Sequence, residues 1–224
     1  MFQKVIFCLL FLFIPLNRAA VNTVANSPFT SSEPVSELAA GEQLFEEMEL
    51  GGTVNFIAFR QAVAGYNRIK EKSKPILTLI DFSKPSTEKR FFVFDMEKKK
   101  LLYSSVVAHG RNSGENYATS FSNQYGSYKS SLGFYLTENT YQGGNGYSLI
   151  LNGLEKGIND KAKARSIVVH GAPYANPSVA ASGRLGRSLG CPALPTKLAR
   201  PIINTIKDGS VMFIYANNPH YLAQ

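Results

Sequence analysis

ILTLIDFSKPSTEKRFFVFDMEKKKLLYSSVVAHG, residues 76–110, decides the fold class. It holds three short apolar runs, ILTLIDF, RFFVFDM and LLYSSVVAH, separated by polar turns, with Asp95 to Lys100 as one hairpin loop. Four more runs of the same texture follow: LGFYLTE, YSLILNG, SIVVH and SVMFIYA. Seven runs at this spacing predict a mainly β domain, a sandwich or barrel of strands. The GGNG at 143–146 supplies the positive φ of a second hairpin. Between Ala108 and Leu132 stands a polar stretch of 23 residues, and a loop of that length inside a compact domain is usually functional or disordered.

Helical patterns flank the strands. Ser36 is placed to cap a helix carrying Leu38, Leu44, Phe45 and Met48, stopped by Gly51-Gly52; a second helix presents Phe56, Phe59, Val63 and Tyr66 on one face. NDKAKAR at 159–165 reads as one or two helical turns. LPTKLARPIINTIKDG carries Leu198, Ile202 and Ile206 on one face, and Pro201 predicts that this helix starts near itself or kinks there. The resulting division is a signal segment over 1–25, a Ser/Asn/Thr/Pro-rich tether over 26–36, a helical segment over 37–72 and the main domain over 75–218.

The chain has 224 residues, 44% hydrophobic and 18% charged, enough for one domain with a sizeable core. The apolar run from Val5 to Leu16 is too short to span a bilayer and suits a secretory signal, cut best after Ala25. An uncut membrane anchor is the alternative. Export would place the protein in the cell envelope, in a compartment where thiols are normally paired or absent. Loss of the signal removes Cys8 and leaves Cys191 as an unpaired thiol that needs an explanation. It also removes Lys4 and Arg18, taking the formal charge from +8 to +6. Such a surplus favours anionic cell-wall polymers or acidic headgroups, and no basic stripe with interleaved aromatics marks a nucleic-acid surface.

IVVHGAPYANPSVAASGRLGRSLGCPALP, residues 167–195, sets His170 and Cys191 apart by 21 positions. Three His and one remaining Cys, with no CxxC or HxxxH, are too few ligands for a metal site, and no organic cofactor is implied. A histidine in reach, or a set of backbone N–H groups, would raise the thiolate fraction of Cys191. His170 ends a strand just before the Gly171 turn, and a backbone carbonyl near Gly171 could hold its tautomer. Gly190 allows a sharp turn and Pro192 keeps Cys191 out of helix, so the N–H groups of Gly190 and Cys191 could form an oxyanion hole. His109, in the echo VAHG, is the rival base; it reads as a residue of the cleft wall or of the surface. His220, Asn152 and Glu155 carry no catalytic signal.

HGxxY…GRxGRSxGCPA, preceded by FSN…SSLGFY and YSLxLNGLExGxNDxAxxR, resembles the murein L,D-transpeptidase catalytic domain family over roughly residues 77–216. The resemblance implies Cys191 as nucleophile, His170 as general base, and an oxyanion pocket shaped by Ser188 and Gly190; Gly171 is assigned to the same pocket, and Tyr174 and His109 are candidate substrate-binding residues. SSLGFY, residues 130–135, is similar to the TPxGxF element that borders the family's cleft. It further implies acyl transfer on peptidoglycan stem tetrapeptides through a thioester, with an amine or water as acceptor. Two departures stand out: Leu189 replaces a histidine common in the family, and Ala193 replaces an Arg or Asn. Arg184 and Arg187 are the natural substitutes for binding substrate carboxylates. The competing readings are a papain-like wall endopeptidase, disfavoured because the histidine precedes the cysteine, and an inactive peptidoglycan-binding module.

Overall fold

The computed structural model describes residues 35–223; the expected signal segment and nearly all of the tether lie outside them. Helices α1 (Val35–Glu47) and α2 (Phe56–Arg68) precede strands β1 (Ile76–Asp81), β2 (Phe91–Asp95), β3 (Lys100–Ser105), β4 (Gly133–Gly143), β5 (Gly146–Gly153) and β6 (Val168–Gly171). A short β7 (Ala193–Leu194), helix α4 (Thr196–Ile206) and β8 (Val211–Tyr215) follow, with single turns of helix at Pro173–Ala175, α3 (Pro177–Ala180) and α5 (Pro219–Leu222). All seven apolar runs are strands, and the two-residue β7 is the one element that the apolar pattern was too short to reveal.

The strands form one sheet in the order β3-β2-β1-β8-β4-β5-β6-β7. β1 runs parallel to β8 and β6 parallel to β7, while the other neighbours are antiparallel. The sheet does not stack on a second one. Just beyond β3, Ala108 exchanges both backbone hydrogen bonds with Ala193 of β7, at 2.8 and 3.2 Å, so the two edges meet and the sheet curls almost into a barrel. This closure brings the end of the first hairpin against the catalytic-type loop.

Both faces of the central strands are buried, so β1, β2 and β8 read as unbroken apolar runs rather than alternating ones. Ile80, Phe91, Val93, Leu149, Val169 and Met212 fill the interior, capped by Ile202, Ile203 and Ile206 of α4. On the outer face Phe45 of α1 and Phe59 and Val63 of α2 cover Leu77, Leu79, Phe92, Phe94 and Phe213. Asn55 caps α2 by accepting from the N–H groups of Ile57 and Ala58. α1 already includes Ser36 and ends at Glu47, before the glycine pair, with Glu49 in the left-handed region.

One helical expectation needs correction. α4 begins at Thr196 and runs through Pro201, because burial of Ala199, Ile202, Ile203 and Ile206 outweighs the hydrogen bond that proline cannot donate. Residues 159–165 form linked turns, closed by hydrogen bonds such as Arg165 N–H to Lys161 O.

The long polar stretch is tightly bonded. Its first residue, His109, expected at the cleft wall or the surface, is 1% exposed and so lies inside the protein. Arg90 Nη2 donates to its Nδ1 at 2.7 Å, and since a guanidinium only donates, the ring proton sits on Nε2, 3.3 Å from Gly114 O. Arg90 itself is fully buried and holds Val107 O and Lys84 O. Burial and the adjacent guanidinium push the imidazole down to about 4.

Two predictions follow from this packing. A Cβ on Gly65 of α2 would lie 1.9 Å from the Phe134 ring, whereas one on Gly51 meets nothing within 4 Å. Despite the better helix propensity of alanine, Gly65→Ala should lose about 1–3 kcal/mol in urea denaturation, and Gly51→Ala much less. Between pH 6.5 and 4 the unfolded chain binds a proton at His109 that the folded chain refuses, so acidification costs stability. The difference from a His109→Gln variant over that window should reach about 3 kcal/mol, and equal slopes for the two proteins would refute it.

Candidate active site

His170 lies on β6, and Cys191 sits in the bend that leads into the neighbouring β7. The parallel β6–β7 register pairs His170 with Ala193, two residues after Cys191. His170 N–H donates to Pro192 O at 3.4 Å, fastening the base's strand to the residue after the nucleophile.

The thiol is 7% exposed. Val168 N–H donates to Sγ at 3.5 Å and the thiol points to Ser166 O at 3.6 Å. Ser166 has φ +56, a conformation non-glycine residues seldom adopt. Burial raises the Cys191 pKa, opposed by the Val168 N–H and the charge of Arg165. The His170 imidazole is lowered by burial, opposed by its hydrogen bond to Gly171 O. The pair therefore rests neutral, and a base is needed to make the nucleophile.

The His170 ring rests on a backbone carbonyl. Its Nδ1 lies 3.1 Å from Gly171 O, so Nδ1–H donates and Nε2 is left as the basic nitrogen. Gly171 packs against α4, where a Cβ would approach that of Ala199 to 2.9 Å.

The oxyanion reading is half corrected. Gly190 N–H donates to Ser188 Oγ at 3.1 Å and is not free to bind an oxyanion, because the serine hydroxyl turns back into the loop. The same hydroxyl donates to Cys191 O at 2.6 Å. Cys191 N–H has no acceptor among the described residues. Gly190 has φ +126, and a Cβ there would meet Ile167 Cδ1 at 2.8 Å and Lys129 O at 2.9 Å, so no other residue fits.

Arg184 and Arg187 meet a carboxylate within the chain. Arg184 Nε lies 3.1 Å from one oxygen of Glu115 and Arg187 Nη1 lies 2.7 Å from the other. Arg187 also holds Arg111 O and Gly114 O, which ties the catalytic loop to the long polar loop. Tyr174 packs on Gly186, and burial plus the nearby thiol push its hydroxyl up to about 12. Leu189, two residues before Cys191, stands 57% exposed.

Several supports escaped the sequence reading. The Arg165 guanidinium donates to Ser122 O, Ser131 Oγ, Ser127 Oγ and Lys129 O. Glu155 accepts from Phe134 N–H at 2.6 Å and from Tyr221, while Asn159 donates to Leu132 O and Phe134 O, so the NGLExGxND segment braces the start of β4. Arg90 and Glu115 gave no local signal, since their partners are distant in sequence. Arg165 closed a motif, YSLxLNGLExGxNDxAxxR, whose terminal arginine was the available clue. Among the described residues no three metal-ligating side chains converge, and no helix is long and apolar enough to cross a membrane.

The L,D-transpeptidase catalytic domain family matches residues 51–215, from before α2 to the end of β8. Among solved structures the chain is similar to an L,D-transpeptidase from Stackebrandtia nassauensis, with 14% identity, 82% of this chain and 79% of that one covered, and a TM-score of 0.38. It is also similar to L,D-transpeptidase 3 from Mycobacterium tuberculosis, at 14% identity over 63% and 61% of the two chains, TM-score 0.40. An L,D-transpeptidase from Mycobacterium smegmatis matches at 13% identity over 63% and 59%, TM-score 0.39. The chain spans about three fifths of the length of these two mycobacterial structures. No curated protein sequence matches it. The family match covers most of the chain and contains both members of the thiol–imidazole pair, and the protein belongs to the L,D-transpeptidase catalytic domain family.

Proposed function

We propose that this protein is a cysteine-dependent peptidoglycan L,D-transpeptidase, exported to the cell envelope, acting on stem tetrapeptides through a thioester on Cys191. The observation that supports this reading is the pairing of His170 on β6 with Ala193, two residues after Cys191, together with an imidazole whose Nδ1–H is fixed on Gly171 O. His170 Nε2 takes the thiol proton as Sγ attacks the carbonyl between the third residue, a diamino acid, and the terminal D-alanine. Cys191 N–H receives the oxyanion. Collapse of the tetrahedral intermediate breaks the C–N bond, the imidazolium gives its proton to the departing amine, and a thioester remains. An amine of a second stem then attacks the thioester, His170 accepts its proton and passes it to sulfur, and a cross-link forms. With water as acceptor the same steps trim a tetrapeptide to a tripeptide, which is L,D-carboxypeptidase activity.

Arg184 and Arg187 are the proposed carboxylate anchors, with substrate displacing Glu115 from an exposed ion pair whose own worth is about 0–1 kcal/mol. Tyr174 and Leu189 line the approach. The formal charge, +8 for the whole chain and +6 without the signal segment, suits an anionic wall polymer.

Mass spectrometry of muropeptides incubated with purified protein tests the reading. Wild type should convert tetrapeptides, Cys191→Ala should not, and His170→Ala should lose about 10²- to 10⁴-fold. Conversion by Cys191→Ala above a few per cent of wild type would reject the nucleophile, and no conversion by wild type with intact binding would favour the inactive module. Because the resting pair is neutral, kcat/KM should be bell-shaped in pH, its acid limb below the 6.5 of free imidazole and its alkaline limb above the ordinary thiol value. An acid limb above 6.5 would contradict the burial of His170.

A further inference from the structure

We propose that Ser130 is a positioning residue that aims the Cys191 N–H at the developing oxyanion. The inference rests on the acyl-transfer reading above and assigns part of its machinery to a residue 61 positions away from the nucleophile. Ser130 is 2% exposed, and its hydroxyl donates to Gly190 O at 3.1 Å while accepting from Gly110 N–H at 3.0 Å. In a planar trans peptide the C=O and the following N–H point in opposite directions. Fastening Gly190 O on the Ser130 side therefore turns Cys191 N–H the other way. That N–H is without an acceptor among the described residues, whereas its neighbour, Gly190 N–H, is held by Ser188 Oγ.

The orientation needs fastening because Gly190, at φ +126, has no side chain to limit its own peptide plane. Ser188 holds the peptide after Cys191 through Cys191 O, and Ser130 holds the peptide before it. Ser130 is in turn clamped on both sides. Its N–H donates to Ser113 Oγ at 2.9 Å, and Arg165 grips Lys129 O at 2.7 Å and Ser131 Oγ at 2.6 Å. The chain from Arg165 through the 129–131 backbone to Gly190 O is continuous. A preorganised donor of this kind costs no rearrangement when charge appears on the substrate oxygen.

Two reactions of the same thiol separate this role from mere support of the loop. Alkylation by iodoacetamide is displacement at a saturated carbon and forms no oxyanion, whereas acyl transfer from a disaccharide tetrapeptide does. Ser130→Ala should leave the alkylation rate and KM within about twofold while kcat falls about 10- to 100-fold, short of the 10²- to 10³-fold loss seen on removing an oxyanion donor itself. Ser130→Thr, which keeps the hydroxyl, should recover kcat to within a few-fold. If Ser130→Ala does not fold, Ser130→Gly is judged by the same ratio of the two rates. Alkylation falling in step with kcat would show a displaced thiol and overturn the proposal, as would an unchanged kcat in a wild type that turns over. Absence of acyl transfer in the wild type would overturn the parent reading, and this one with it.

Discussion

The two-way hydrogen bond between Ala108 and Ala193 is the constraint on which the site depends. It joins the outer edge of the β1–β3 hairpin region to the outermost strand, β7, and so makes one sheet enclose one core. Because Ala193 lies two residues after Cys191, the closure also locates the nucleophile. On the other side of the seam, His109 follows Ala108 and its carbonyl accepts Ser188 N–H, so the polar loop and the catalytic-type loop are stitched together over several residues. A curled sheet without this seam would leave Cys191 on a free strand end.

Electrostatics at the site are those of a buried, neutral pair. The thiol is raised and the imidazole lowered by the same cause, loss of water. In the proposed reaction a thiolate forms by proton transfer rather than being stored in a resting ion pair. Arg165 is the cation set closest to this balance, and its four hydrogen bonds all go to neutral oxygens. Its charge therefore remains available to favour a thiolate.

Buried polar groups elsewhere hold loops rather than perform chemistry. Arg90 and His109 fix the start of the polar loop, and Glu155 and Asn159 satisfy the backbone around Gly133 where a side chain would collide with Glu155. Such groups are costly to leave unpaired, so each fixes its loop to one conformation. The 23-residue stretch is ordered by these contacts and by Ser113, Ser130 and Asn112, which explains how a loop with few apolar residues stays in place.

The sequence alone determined the strands, the hairpins, two N-terminal helices, a strand-end histidine and a cysteine held out of helix by proline, because these follow from short-range periodicity and backbone chemistry, whereas the choice of His170 over His109 as partner of Cys191 came from the family resemblance. It also placed the tautomer of His170 on a carbonyl near Gly171, a contact between adjacent residues. Tertiary structure alone decided what depends on distant partners. The near-closure of the sheet rests on a pair 85 residues apart, Ala108 and Ala193, and the hydrogen bond of buried His109 on Arg90, the residue before β2. Glu115 meeting Arg184 and Arg187, Ser188 capturing Gly190 N–H, and Ser130 capturing Gly190 O likewise join loops whose local sequences are merely polar. A hydroxyl or a charge in such a loop carries no directional information until folding supplies its partner, and that is why the partners of Arg184, Arg187, Gly190 and Ser130 had to be read from the folded chain.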